Sequence, residues 1–314
     1  MTPLPDARCP LTYEPCTPGA YSRAGLRRLS PRLHTLHPLA FTTASLRREA
    51  VARAAKMSIQ GVQPKVSAVL KVKAGRFDLI DRGGRYILKP QIVEYPEVPE
   101  NEDVTMRMAA LAGIEVPLHG LLYTKDGDLC YFIKRFDRAG RSKKRPVEDF
   151  AQLTGRNRET KYDASMEQVA GIINQFCTFP AVERVKLFRR TLFAFLTGNE
   201  DMHLKNFSLI TREDIVSLSP AYDLLNTTIA LPNPTEELAL PLRGKKSKLK
   251  RGDLIDYYGR ERLKLTPKAI DRVLSDLESI LPHWFDLLNR SFLSFLKRAT
   301  YRDVLQLRTD RLCL

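Results

Sequence analysis

The 314-residue sequence predicts an α+β fold in two lobes, a β-rich N-lobe over residues 1–137 and a helical C-lobe over residues 138–314. Two observations carry this. Between residues 66 and 137, apolar and polar side chains alternate, punctuated by Asp-Arg-Gly-Gly and Lys-Asp-Gly-Asp, the pattern of antiparallel strands joined by tight turns. After Asp137 the apolar spacing lengthens to the helical period, over 165–178, 180–197, 267–281 and 283–299.

In chain order, 45-SLRREAVARAAKM-57 predicts a short helix capped by Ser45. The segment 58-SIQGVQPKVSAVLKV-72 is a small-residue loop running into a strand, with Val66, Ala68, Leu70 and Val72 on one face. Two more strands follow in 76-RFDLIDRGGRYILKP-90. Residues 100–112 predict a helix with acidic residues in its first turn, ended by Gly113. Strands at 118–124 and 129–137 complete an antiparallel sheet. The basic runs 141-RSKKR-145 and 243-RGKKSKLKR-251 read as solvated loops.

Composition narrows the class. Hydrophobic residues make up 43% and charged residues 28%, the balance of a globular chain. No apolar run approaches the ~20 residues that span a bilayer. The first twenty residues, with Asp6, Glu14 and five prolines, lack the basic-then-apolar order of a secretory signal, so a cytoplasmic location is expected. A net charge of +15 favours acidic partners: nucleic acid, phosphates, anionic lipid or an acidic protein. Five scattered cysteines argue against a disulfide framework, and the Cys9–Cys16 spacing is too wide for an ordinary zinc site with His34 and His37.

The chemistry concentrates in 197-TGNEDMHLKNFSLI-210. Asp201 and Asn206 stand five residues apart, as do the catalytic aspartate and the magnesium-holding asparagine of a protein kinase. An aspartate facing the acceptor hydroxyl and a neutral amide oxygen near the phosphates would serve Mg2+-ATP chemistry. The second metal ligand should be an acidic residue just after the next strand. The hairpin 206-NFSLIT-211 and 215-IVSLSPAYD-223 ends on Asp223. Asp201 capping a turn and Asp223 capping a helix is the structural alternative.

The remaining parts stand in kinase order. Lys89 ends the strand 86-YILK-89, where it could reach the ATP phosphates. Glu102 on the following helix is its expected partner, and Glu100 lies too close to the helix start. The phosphate-covering segment is 58-SIQGVQPK-65, with Ser58, Gln60, Gly61, Val62 and Lys65 as candidate nucleotide contacts. It has one glycine where kinases have three. Backbone N–H groups around Gly61 could still cradle an anion.

Taken together, SIQGVQPK, YILKP, NEDVTMRMA, FIKRFDR, EDFAQL, GNEDMHLKNFSL and SPAYDLL, in this order, resemble the HipA family of bacterial serine/threonine kinase toxins, from about residue 50 to nearly the C-terminus. The resemblance implies a distant relative of the protein and phosphoinositide kinase folds and ATP-dependent phosphorylation of a protein, with aminoacyl-tRNA synthetases as the targets known in the family. It further implies that Ile133, Lys134, Arg135 and Phe136 form the hinge that meets adenine, that His203 lies near the phosphates or plays a structural part, and that Ser58 becomes autophosphorylated. Some members carry a second serine two positions on; here that residue is Gln60, which leaves Ser58 alone. The short stretch before Ser58 resembles HipT, the kinase of three-gene systems whose companions are a small HipS protein and a helix-turn-helix HipB protein. Contact with nucleic acid is then expected only through such partners, and none with a membrane. Two other classes compete: a non-catalytic nucleic-acid-binding module built on the 243–251 run, and a lipid kinase. The first leaves Asp201, Asn206 and Asp223 unexplained. The second lacks an amphipathic basic helix.

Overall fold

The computed structural model describes residues 7–53, 63–140, 143–231 and 234–314. The chain divides into two compact units, Met1–Val104, Pro117–Ser142 and Arg290–Ser294 in the first, and Thr105–Val116, Lys143–Asn289 and Phe295–Leu314 in the second.

The first unit is built on an antiparallel sheet of β1 (Val66–Lys71), β2 (Arg76–Leu79), β3 (Tyr86–Lys89), β4 (His119–Tyr123) and β5 (Leu129–Lys134), in the order β2-β1-β3-β5-β4. β3 sits in the centre, with Lys89 opposite Tyr131 of β5. One face carries Val66, Ala68, Phe77, Tyr86, Leu88 and Phe132, and the rings of Phe77 and Tyr86 meet edge to face at 5.1 Å. Leu26, Leu29, Leu33, Leu36, Leu39 and Leu46 from the N-terminal segment cover that face and are all buried. The leucine-rich N-terminus is therefore part of the sheet's core. It carries helices α1 (Arg23–Leu29) and α2 (Thr43–Arg53). The Asp126 carboxylate in the β4–β5 turn accepts the Thr43 amide at 3.1 Å, fixing the start of α2. Two predicted details change here. Ser45 lies inside α2, and Thr42 Oγ1 accepts the Ser45 amide at 3.2 Å as an N-cap does. Val72 belongs to a 3-10 turn rather than to β1.

Helix α3 (Val98–Leu111) carries Glu100 in its first turn and is followed by Gly113 at φ 73°, a left-handed stop that glycine adopts without a Cβ penalty.

The second unit is largely helical. Its helices are α4 (Phe150–Leu153), α5 (Met166–Phe176), α6 (Pro180–Leu196), α7 (Thr227–Ala230), α8 (Pro267–Asn289) and α9 (Phe295–Leu312), with a π-helical stretch over Asp253–Arg262. A three-stranded antiparallel sheet adds β6 (Val147–Asp149), β7 (Ser208–Arg212) and β8 (Ile215–Leu218), in the order β8-β7-β6. α6 packs against α5, α8 and α9 and buries Leu187, Phe188, Leu192, Phe193, Phe195 and Leu196.

The predicted break near residue 282 does not occur. Pro282 lies inside α8, which runs on to Asn289, because Ile270, Val273, Leu277, Leu281, Trp284 and Leu288 form one continuous buried stripe. An interior proline costs a helix about 3 kcal/mol, and that stripe offsets it. The last helix accordingly starts at Phe295, beyond the predicted 283.

Trp284, the sole tryptophan, is fully buried. Its indole N–H donates to the Met108 carbonyl at 3.0 Å, and its ring meets Phe193 edge-on at 5.5 Å. Trp284→Ala should destabilise the second unit by about 3–5 kcal/mol. Urea unfolding followed by circular dichroism checks this, and in the wild type the single indole's fluorescence reports the second unit alone.

Candidate active site

The 199–206 loop begins where α6 ends. The Asn199 amide donates to the Ala194 carbonyl at 2.9 Å and the Gly198 amide to Phe195 at 3.3 Å, the paired bonds of a Schellman stop. Gly198 sits at φ 69°, and a Cβ there would come within 2.7 Å of Asn226 Oδ1 and 2.8 Å of Thr228 Oγ1. Glycine is required on both counts. The chain then turns. Asn199 Oδ1 accepts the Asp201 amide at 3.1 Å, and Thr227 Oγ1 accepts the Glu200 amide at 2.6 Å. Glu200 also pairs with the buried Arg308 of α9 at 3.4 Å.

Asp201 emerges half-exposed, with a side-chain exposure of 41%. Its Oδ1 accepts a hydrogen bond from the Tyr162 hydroxyl at 2.5 Å. His203 is buried; its Nε2 lies 2.8 Å from Lys161 Nζ and 3.9 Å from Asp201 Oδ1. Burial pushes the His203 imidazole below its ordinary range, with Lys161 adding repulsion against the attraction of Asp201. It is therefore neutral at pH 7, and Nε2 accepts the Lys161 ammonium hydrogen.

Asn206 follows in a 3-10 turn, with its amide donating to the His203 carbonyl at 2.9 Å. Its side-chain NH2 donates to the Asp201 carbonyl at 2.7 Å. That bond orients the amide, assigning Nδ2 inward and leaving Oδ1 as an oxygen donor. Asp223 arrives through the β7–β8 hairpin, and the residues just before it are held from several sides. The Ser219 amide bonds the Ser208 carbonyl at 2.9 Å, and the Tyr222 hydroxyl contacts Ser208 Oγ and donates to the Lys205 carbonyl at 2.9 Å. On the far side, buried Arg190 donates to the Ser219 carbonyl, and the Ala221 amide bonds Glu115 at 2.7 Å. Asp223 itself is at φ 54°, a left-handed conformation that costs about 1–3 kcal/mol and recurs at functional sites.

This donor set fits magnesium. An amide oxygen and one carboxylate are hard ligands, and Mg2+ uses one or two protein oxygens with the rest from water and phosphate. Among the described residues no cluster of three His, Cys, Asp or Glu side chains could hold an ion.

The first unit supplies the predicted cation. Lys89 Nζ lies 2.6 Å from Glu102 Oε1, with side-chain exposures of 5% and 1%. Glu100 instead accepts from Gln91 at 3.3 Å. The next α3 residue, Asp103, pairs with buried His119 at 2.8 Å, a contact the sequence reading missed. At the predicted hinge Ile133 is buried, while the Lys134 and Arg135 amides donate to Leu118 at 2.7 Å and Arg85 at 2.8 Å. Both N–H groups are thus committed within the sheet, and Phe136 follows them half-buried. Lys65 is half-buried just before β1. Ser58, Gln60, Gly61 and Val62 lie outside the described residues. A cavity of about 520 Å³ in the second unit, lined by Ile114, Val182, Val185 and Arg189 among others, includes none of the site side chains.

A β-sheet unit carrying a buried lysine–glutamate pair, and a helical unit carrying an Asp-x4-Asn loop and a hairpin-borne aspartate, define a kinase-like α+β fold. Residues 57–284 match the model of the HipA-like C-terminal domain, and the chain belongs to that family. It is 34% identical over 246 residues to a Haemophilus influenzae protein named "Putative kinase", covering 71% of this chain and 68% of that one. Among solved structures, the fold is similar to HipA of Shewanella oneidensis, determined with HipB and operator DNA. The TM-score is 0.68 at 21% identity, over 82% of this chain and 65% of that one. It is also similar to the Helicobacter pylori proinflammatory kinase CtkA, with a TM-score of 0.57 at 16% identity, over 82% of this chain and 91% of that one. The chain spans 43% to 68% of the length of the curated relatives it matches. No described helix is long and apolar enough to cross a membrane.

Two outcomes follow from the site's electrostatics. Glu102→Gln removes a carboxylate 2.6 Å from the buried Lys89 and should lower stability in urea unfolding, with part of the loss recovered when Lys89→Met is added. His203 has a folded pKa below the unfolded value of about 6.5. As pH falls through 6.5 the unfolded chain therefore gains a proton that the folded chain refuses. Stability is lost toward acid, by up to about 1.4 kcal/mol per pH unit. Thermal unfolding between pH 7.5 and 5.5 should show a steeper loss for wild type than for His203→Gln.

Proposed function

We propose that the chain is an ATP- and Mg2+-dependent serine/threonine protein kinase and the toxin of a toxin–antitoxin system, with an N-lobe over 1–137 and a C-lobe over 138–314. The observation that carries this reading is the bond from the Asn206 side chain to the Asp201 carbonyl, with Tyr222, the residue before Asp223, tied to Ser208 and to the Lys205 carbonyl of the same loop. In it, Asp201 accepts the proton of the acceptor hydroxyl as that oxygen bonds to the γ-phosphorus and the link to the departing ADP breaks. Asn206 Oδ1 and the Asp223 carboxylate hold magnesium, which when bound neutralises phosphate charge. Lys89, aimed by Glu102, meets the α- and β-phosphates. His203, neutral, orders the loop between Asp201 and Asn206.

The finer reading is a HipT-like kinase that works with a HipS-like small antitoxin and a HipB-like DNA-binding protein, phosphorylates an aminoacyl-tRNA synthetase and autophosphorylates Ser58. Supporting it are the family membership and a relative of similar fold captured with HipB and operator DNA. Nucleotide contact is assigned to the 58–65 segment and to the hinge of Ile133, Lys134, Arg135 and Phe136, through groups other than the Lys134 and Arg135 amides, which are already bonded.

Asp201→Asn and Asp223→Asn should each lower phosphoryl transfer from radiolabelled ATP, to itself or to a synthetase panel, by at least about a hundredfold. Asparagine tolerates the left-handed backbone at 223, so thermal unfolding should stay near wild type. Undiminished transfer by either variant would overturn the assignment.

A further inference from the structure

The segment just before α5 was silent in the sequence reading, yet it touches the 199–206 loop at three successive points. It is a closed turn. Asn157 Oδ1 accepts the amides of Glu159 and Thr160 at 3.0 Å, and Arg156 Nε donates to the Asp163 carbonyl at 2.7 Å. From it the Lys161 carbonyl accepts the Leu204 amide at 3.2 Å, the Lys161 ammonium reaches His203 Nε2 at 2.8 Å, and the Tyr162 hydroxyl reaches Asp201 Oδ1 at 2.5 Å. The Tyr162 ring also stands edge-on to His203 at 5.1 Å, with Lys161 Nζ 4.8 Å from its centroid.

We infer that Tyr162 is a positioning residue for Asp201, a role that rests on the kinase reading above. A carboxylate on a surface loop rotates about its Cα–Cβ and Cβ–Cγ bonds, and an acceptor hydroxyl meets it productively in few of those orientations. The phenol holds Oδ1, which fixes the plane of the carboxylate and leaves Oδ2 to receive the acceptor's proton. The half-exposed state of Asp201 keeps that oxygen reachable. The donor direction is settled chemically. Burial and the hydrogen bond to the Asp201 carboxylate both raise the Tyr162 hydroxyl above its ordinary range, so it stays protonated and can only donate to a charged carboxylate. The turn behind it, closed by Asn157 and Arg156, keeps the ring from following Asp201 if that side chain moves.

The test is Tyr162→Phe in the full chain, which keeps the ring against His203 and removes the hydroxyl. The expected result is a kcat lower by about ten- to hundredfold with an unchanged KM for ATP and unchanged thermal unfolding. An unchanged kcat would overturn the inference, and a raised kcat would show the phenol to be a block on Asp201 instead. NMR titration of 13C-labelled tyrosine adds a readout that needs no catalysis. Tyr162 should titrate lower in Asp201→Asn than in wild type, because the carboxylate that holds its proton is gone; an unchanged titration would overturn the contact itself. A wild-type chain that transfers no phosphate would instead remove the kinase reading, while transfer by wild type with equal kcat in Tyr162→Phe removes the positioning role alone.

Discussion

The site depends first on the way one helix stops. α6 is among the most buried helices of the second unit, and its register is fixed by the phenylalanines it packs inward. Because Gly198 closes it in a left-handed turn against Asn226 and Thr228, the next residues have a single exit direction. Asn199 then turns inward to hold the Asp201 amide, and Glu200 is anchored to Thr227 and Arg308. Asp201 is the first residue beyond this stop whose side chain is partly free of the core. A packed helix end has thereby been converted into a reference point for a half-exposed carboxylate. Precision on a loop comes from the rigid element behind it.

Both units bury paired charge, and the second also buries a neutral imidazole. In the first, α3 offers consecutive carboxylates, Glu102 and Asp103, to two basic groups on the sheet, Lys89 and His119, at 2.6 and 2.8 Å. Such pairs add little net stability, since desolvation offsets most of their attraction, but they strongly penalise any arrangement in which one partner is missing. In the second unit Glu200 and Arg308 form a buried pair of the same kind at 3.4 Å, whereas the His203 imidazole remains neutral and its burial carries no formal charge. Lys161 supplies the cation from a half-buried position instead.

Much of this was legible in the sequence because it is local. The sheet strands announce themselves by alternation, the Asp201–Asn206 spacing is a short-range fact, and Glu102 was separable from Glu100 by helix position alone. Three kinds of feature were not legible. The leucines of residues 26–46 are spaced for no single period, since they cover a curved sheet rather than line one helix face. Pro282 looked like a boundary, because propensity is a local quantity while the buried stripe that overrides it is tertiary. Lys161 and Tyr162 lie roughly forty residues before the side chains they hold, in a segment with no periodicity. The one available signal was an Asn-x-x-Thr turn ahead of a Lys-Tyr pair, and a turn by itself does not say what it faces.

Position 223 carries two demands that few amino acids meet together. Its backbone is left-handed at φ 54°, which favours glycine, asparagine and aspartate, and in the proposed site its side chain presents an oxygen at short reach. Glycine meets the first demand alone and glutamate the second alone; alanine meets neither. The set of residues that keep both the turn and the oxygen shrinks to aspartate and its amide, which lacks the charge. Seen as a problem in sequence drift, the proposed role leaves this codon almost no silent neighbours at the level of chemistry, since nearly every single-base change that alters the residue would remove the turn, the oxygen or the charge. A lineage released from the need for this activity should lose it early at this position, and the nature of the replacement would tell whether fold or chemistry was abandoned first.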